Sequence, residues 1–240
     1  MSAWVLAVEG AVVRAGERHD GGFLLTVPEL RLAPGDRIAV CGPSGCGKSM
    51  LIEFLALLVR PERIGRFMLS DVGDLAPPLS EGRLDSLAGL RAGVIGYAPQ
   101  SGGVLPFLKA RAHASAVMRL RGTQADEQIR ARFEALADSI GIRQHLDKTR
   151  EQLSGGQRKR VSLLAAMATP RRLLLVDEPT TGLDDQAGAA DMYTLSRLAT
   201  ADGTAVLIST HDPEAAARAG FEIVPLEHGV FRLASPGVAA

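Results

Sequence analysis

Eight residues, "GPSGCGKS" at positions 42–49, constrain this chain more than any other stretch. Their glycines let the backbone curl until successive N–H groups point inward at anionic oxygens. Upstream, "PGDRIAVCG" reads as a turn followed by a buried strand. Downstream, "KSMLIEFLALLV" has helical length and apolar spacing, and stops before Pro61. The helix adds the positive end of its dipole. This is the G-x-x-x-x-G-K-[ST] pattern in the strand–loop–helix setting that it requires. Gly42, Pro43, Ser44, Gly45, Cys46, Gly47, Lys48 and Ser49 form the loop, and Met50 follows. Lys48 is expected to reach the β- and γ-phosphates of a nucleotide, and Ser49 to offer a hydroxyl to Mg²⁺. A glycine-rich turn with an incidental lysine is the bland alternative, and the two correct flanks argue against it.

"LLLVDE", residues 173–178, supplies the complement. Its apolar run makes a buried strand whose two carboxylates emerge at the C-terminal end, the edge where open α/β sheets bind ligands. Asp177 is expected to hold Mg²⁺ through water, and Glu178 to orient and deprotonate an attacking water. With the first motif, this pair predicts ATP or GTP hydrolysis.

Along the chain, "WVLAVEGAVV" and "GGFLLTVPELRLA" read as strands joined by polar "RAGERHDGG". Residues 61–90 look irregular, with "APPL" and several glycines, and suggest a surface insertion. "AGVIGYAPQ" is a short strand. "FLKARAHASAVMRLRG" and "DEQIRARFEALADSIGI" are amphipathic helical patterns. Alternation then returns, with "QRKRVSLLAAMAT" and "DQAGAADMYTLSRLAT" as helices, and "RRLLLVDEP" and "TAVLISTHD" as strands. "FEIVPLEHGVFRLA" suggests a hairpin turning at His228-Gly229. The expected class is α/β: a P-loop NTPase core with a mainly parallel sheet and flanking helices, an N-terminal antiparallel β part, and an inserted α-helical lobe. One domain is expected over 3–235, with the core at 3–100 and 160–235 and the lobe at about 101–159.

Charge narrows the partners. The 240 residues carry 27 Lys+Arg and 27 Asp+Glu. That balance gives no bulk attraction to a nucleic acid or an anionic membrane surface. Cys41 and Cys46 read as reduced thiols rather than a disulfide framework. Oxidation or alkylation of Cys46 is expected to block nucleotide binding. The most apolar run, "LIEFLALLV", is too short to span a bilayer and carries Glu53. "MSAWVLAVEG" lacks a basic n-region, so no signal peptide is read and a cytoplasmic location is expected.

A second phosphate-binding device appears in "LSGGQ", residues 153–157, a serine and two glycines opening a helix. With it in view, the chain resembles the ATP-binding cassette family from about residue 3 to 232. Five motifs fall in family order: "GPSGCGKS", Gln100 after "IGYAP", "LSGGQ", "LLLVDEPTTGLDD", and His211 in "STHD". The resemblance implies two cassettes meeting head to tail, each ATP sandwiched between one copy's lysine loop and the other's "SGGQ". Ser154, Gly155, Gly156 and Gln157 then face the partner's nucleotide, with Ser154 and Gly156 on the γ-phosphate. Gln100 would contact Mg²⁺ and the attacking water and join the core to the helical lobe. His211 would contact the γ-phosphate and position the water, and Asp184 would communicate across the dimer. The bland alternatives are an exposed strand-end glutamine, a histidine beside a helix cap and an aspartate in a turn.

Two positions depart from the family pattern. Met50 stands where threonine is common. "VRAGERHDGG" holds no aromatic to stack on adenine, leaving Arg14, Arg18 or His19, so modest ATP affinity and loose base selectivity are expected. The resemblance further implies an integral membrane permease subunit as partner, seated in a groove lined by residues 101–121. The chain would sit peripherally on the cytoplasmic face of the membrane. The run "SGGQRKRVS" with "DEPTTGLD" looks more like exporter or lipid-extrusion cassettes than sugar importers. The competing readings are an importer-type subunit, a soluble cassette ATPase acting on DNA or ribosomes, and a P-loop kinase, which would need an acceptor pocket where "LSGGQ" stands.

Overall fold

The computed structural model describes residues 4–16, 22–180 and 185–233, and for residues 185–187 the backbone alone. Alternating apolar residues shape the first strands. β1 (Leu6–Arg14) pairs antiparallel with β2 (Leu24–Leu32), Leu6 opposite Leu32 and Arg14 opposite Leu24. β3 (Arg37–Cys41) leads into the lysine loop and α1 (Lys48–Leu55). β4 (Arg66–Leu69) and β5 (Gly73–Asp74) complete a four-stranded antiparallel sheet in the order β2-β1-β4-β5. The helices α2 (Ala76–Ser80) and α3 (Ala88–Val94) lead to β6 (Ile95–Ala98).

A helical stretch follows: α4 (Ala110–Ala114), α5 (Ala116–Leu120), α6 (Glu127–Ser139) and α7 (Gly155–Met167). Then come β7 (Leu173–Asp177), α8 (Asp185–Asp202), β8 (Ala205–Thr210), α9 (Pro213–Arg218) and β9 (Glu222–Pro225). The second sheet is parallel, in the order β6-β7-β8-β3-β9. β7 and β8 are buried along their whole length. Their side chains alternate between two cores. Leu173, Leu175, Ala205 and Leu207 join the cluster shared with the antiparallel sheet, where Phe54 and Phe67 meet edge-to-face at 5.6 Å. Leu174, Val176, Val206 and Ile208 join the cluster beneath the helices. A strand with a core on each face must be apolar throughout, which is why "LLLV" runs without a break.

Several expectations need correction. Residues 61–90 are not an irregular insertion. β4 lies inside the antiparallel sheet with Phe67 and Leu69 fully buried, and Pro77 and Pro78 occupy the first turn of α2, where a missing N–H costs no helical bond. α1 stops at Leu55, well short of Pro61, because Leu57 turns left-handed at φ 62°. The helix read over 107–122 is two short helices meeting at Ser115. The turn at His228-Gly229 is present, both residues having positive φ, but its arms serve different sheets. β9 pairs with β3, while Val230 and Leu233 bridge to Thr26 and Leu30 of β2. α9 was not anticipated; its signals are the Asp212 side chain accepting from Ala215 N–H at 2.8 Å, and Pro213 in its first turn.

Candidate nucleotide site

The order of the parallel sheet gathers the motifs. β7, β8 and β3 are neighbours, so residues 177–178, His211 and the lysine loop all leave the same sheet edge, and Gln100 arrives from β6 beside β7. At the loop, Gly45 and Gly47 adopt φ of 78° and 103°. A Cβ on Gly42 would lie 2.6 Å from the Leu226 carbonyl oxygen, so that position accepts no side chain. α1 has no side-chain cap and no acidic residue in its first turn, which leaves its leading amides and dipole open to an anion. Lys48 is buried, and its Nζ donates to the carbonyls of Gly42 (2.8 Å) and Pro43 (3.1 Å). Pro43, Ser44 and Gly45 are exposed, while Ser49 and Met50 are half-buried. Cys41 and Cys46 are both free thiols, and burial pushes the Cys41 pKa up. Cys46 is buried, which shields its sulfur from thiol reagents.

The carboxylates are held from several sides. Asp177 Oδ1 accepts from Ser209 Oγ at 2.5 Å, and Ser209 Oγ in turn accepts from Glu178 N–H at 3.0 Å. Glu178 is left-handed, at φ 49°, and its side chain is 7% exposed. His211 Nε2 lies 2.5 Å from its Oε1, and Gln100 Nε2 donates to its Oε2 at 2.8 Å. Three sequence-predicted residues therefore meet at one carboxylate. Lys159, from the second turn of α7, donates to the Glu178 carbonyl at 3.3 Å; burial lowers its pKa, opposed by Glu178 and Asp177.

The second phosphate device stands apart. Ser154 caps α7, with Ser154 and Gly155 exposed. Among the described residues, no hydrogen bond joins Ser154, Gly155, Gly156 or Gln157 to the loop at 42–49. Asp184 lies outside the described residues, as do Arg18 and His19.

Residues 25–181 match the profile of a family described as ABC transporter. The chain belongs to the ABC transporter family. The macrolide export ATP-binding/permease protein MacB of Syntrophobacter fumaroxidans is 35% identical over 211 residues, covering 87% of this chain and 28% of MacB. The pyoverdine export ATP-binding/permease protein PvdT of Pseudomonas entomophila is 37% identical over 191 residues, covering 79% of this chain and 28% of PvdT. The chain thus spans less than a third of either relative. Among solved structures, the ATP-binding cassette MJ0796, in a dimeric post-hydrolysis state bound to ADP and Pi, superposes with a TM-score of 0.78 at 25% identity, covering 94% of this chain and 96% of that one.

As a member of this family the chain is an ATP-binding ATPase cassette with the expected α/β fold. Its donors suit Mg²⁺. Among the described residues no three His, Cys, Asp or Glu side chains form a cage. The hydroxyl of Ser49 and the carboxylate of Asp177 are hard oxygen ligands, and Mg²⁺ characteristically takes one or two of these together with phosphate and water. One contact escaped the sequence reading. Phe23, immediately beyond "VRAGERHDGG", is 37% exposed, and its ring lies 2.7 Å from where a Cβ of Gly47 would sit. Arg14, by contrast, is engaged with Glu62 at 2.7 Å. No local pattern flags Phe23; only its packing against the loop, just ahead of β2, reveals it.

Proposed function

We propose that this cassette is the nucleotide-binding subunit of a membrane transporter of exporter or extrusion type. It works as a head-to-tail pair of copies on a separate permease subunit, at the cytoplasmic face of the membrane. The cassette occupies 3–235, with core segments 3–100 and 160–235 around a helical lobe at about 101–159. The observation that carries the transport reading is an apolar cleft of about 350 Å³ beside the Gln100 segment. Tyr97, Pro99, Leu105, His113, Ala116 and Val117 are among the residues that line it. Two residues along the chain from Leu105, Phe107 is 93% exposed. A helix from a membrane subunit fits such a cleft, and a partner there reports to Glu178 through Gln100. The export direction is supported by the likeness to the macrolide export protein MacB and the pyoverdine export protein PvdT.

In the catalytic assignment, Lys48 leaves the Gly42 and Pro43 carbonyls to hold the β- and γ-phosphates, while the amides opening α1 cradle them. Phe23 offers its exposed face to the base. Ser49 and Asp177 would hold Mg²⁺, which would supply positive charge against the phosphates. Gln100 and His211 fix the two oxygens of Glu178, which takes a proton from the attacking water. His211 and the partner copy's Ser154 and Gly156 meet the γ-phosphate, and Asp184 takes the family role of communicating between the copies. The test has two arms. The Glu178→Gln variant is expected to bind ATP, accumulate a closed dimer and lose turnover. Affinity purification from detergent-solubilised membranes is expected to retain a hydrophobic subunit. Full turnover by a Glu178→Gln monomer would overturn the ATPase assignment, and retention of ribosomes or DNA instead of a membrane protein would overturn the transport role.

A further inference from the structure

Gln157 is held at three points. Its backbone N–H donates to Ser154 Oγ at 3.2 Å, and its side-chain Oε1 accepts from the Ser154 backbone N–H at 3.0 Å, closing a reciprocal cap on α7. Only an oxygen can accept from that N–H, so the other end of the carboxamide is the NH₂ group. It lies 3.1 Å from Nε2 of His145. An NH₂ group can only donate, so this imidazole nitrogen carries a lone pair and the ring proton resides on Nδ1. Nδ1 is buried, with no hydrogen-bond partner among the described residues. Burial, and then Lys148, lower the His145 pKa, in keeping with a neutral ring.

We infer that His145 is a positioning residue for the segment 154–157: through Nε2 the neutral imidazole holds the Gln157 carboxamide, and Gln157 holds Ser154. The inference rests on the proposal that this segment faces the nucleotide of a second copy. Its mechanical content is specific. Ser154 Oγ is occupied as an acceptor by Gln157 N–H, so its own O–H proton remains to be donated outward from an exposed helix end. If the imidazole lost its lone pair, the carboxamide would have to turn over to present its oxygen. The Ser154 N–H would then lose its acceptor, and the cap would loosen at the end that must meet a γ-phosphate.

The test uses the full chain carrying Glu178→Gln, so that bound ATP is not consumed. His145→Leu removes the acceptor, whereas His145→Gln places an oxygen near the former position of Nε2. ATP-driven dimerisation is followed by light scattering, and nucleotide affinity of the monomer by a fluorescent ATP analogue. Two equivalent sites form per dimer, each losing one hydrogen bond, so His145→Leu is expected to weaken dimerisation about tenfold. His145→Gln is expected to return it to within about twofold of the parent, with monomer affinity unchanged in both. Dimerisation by His145→Leu equal to the parent, or no rescue by glutamine, overturns the inference. A third variant, Ser154→Arg, separates the two ideas: normal dimerisation by Ser154→Arg refutes the two-copy reading itself. If His145→Leu fails to fold, nitrogen-15 NMR of the parent decides. A proton on Nδ1 and a bare Nε2 are expected, and a proton on Nε2 overturns the assignment.

Discussion

Asp191 provides a thermodynamic test of the interior of the cassette. It sits in α8 with its side chain 1% exposed, accepts from Arg160 Nε at 3.2 Å through Oδ2, and leaves Oδ1 without a partner among the described residues. Burial raises its pKa from 3.8 to about 6, and the pull of Arg160 in the other direction is smaller. The folded state therefore holds a proton that the unfolded state has released between those two values. Stability from this group is complete below the unfolded pKa and is lost as pH rises through about 6. At 1.36 kcal/mol per pKa unit the whole loss is about 3 kcal/mol, of which about 2 kcal/mol falls between about pH 4.5 and 7.5. The perturbation is Asp191→Asn, which keeps the shape and cannot ionise. Urea unfolding of both proteins across that window gives the difference in stability at each pH, and groups common to both cancel. The variant is expected to gain about 2 kcal/mol on the parent as pH rises from about 4.5 to 7.5. A flat difference, or one of opposite sign, would show that the Arg160 pair outweighs desolvation and would refute the reasoning.

Three further outcomes can be checked. Phe23→Ala is expected to weaken nucleotide binding about fivefold, near the low end of aromatic–base stacking because the ring is only partly exposed; unchanged binding of a fluorescent nucleotide would remove Phe23 from the site. Every nucleobase has a π-face, so ATP and GTP are expected to compete within about threefold, and a strong adenine preference would contradict a stacking-only base site. Gly96→Ala places a Cβ 2.5 Å from the Ala166 carbonyl oxygen and 2.8 Å from Leu174 Cδ1, pressing α7 off β6. A loss of about 2 kcal/mol and about 5 °C in Tm is expected, whereas an unchanged melting curve would show that α7 yields freely.

What the sequence disclosed follows the range of the forces involved. The lysine loop, the strand before residues 177–178 and the capped start of α7 are local devices: glycine conformation, a run of apolar residues, a serine ahead of a helix. Each is written in adjacent residues and was legible. β4 was not, because four residues of "RFML" show too little alternation, and the prolines after it read as breakers when they were helix starters. α9 is one short helix hidden behind a motif histidine. Phe23 against Gly47, His145 beneath Gln157 and Asp191 against Arg160 join residues that lie 24, 12 and 31 positions apart. No period or spacing rule reports such contacts, since they exist only after the sheets and helices have stacked.

The segment after β9 has a consequence for how the chain is made. Residues 230–233 lie along β2, so one of the first strands synthesised has its outer edge covered by residues made long after it. Until that segment leaves the ribosome, the β2 edge keeps unpaired amides and carbonyls, an invitation to stray strand pairing. A nascent chain stalled before residue 230 should therefore depend on chaperones far more than one in which residues 230–233 have reached β2.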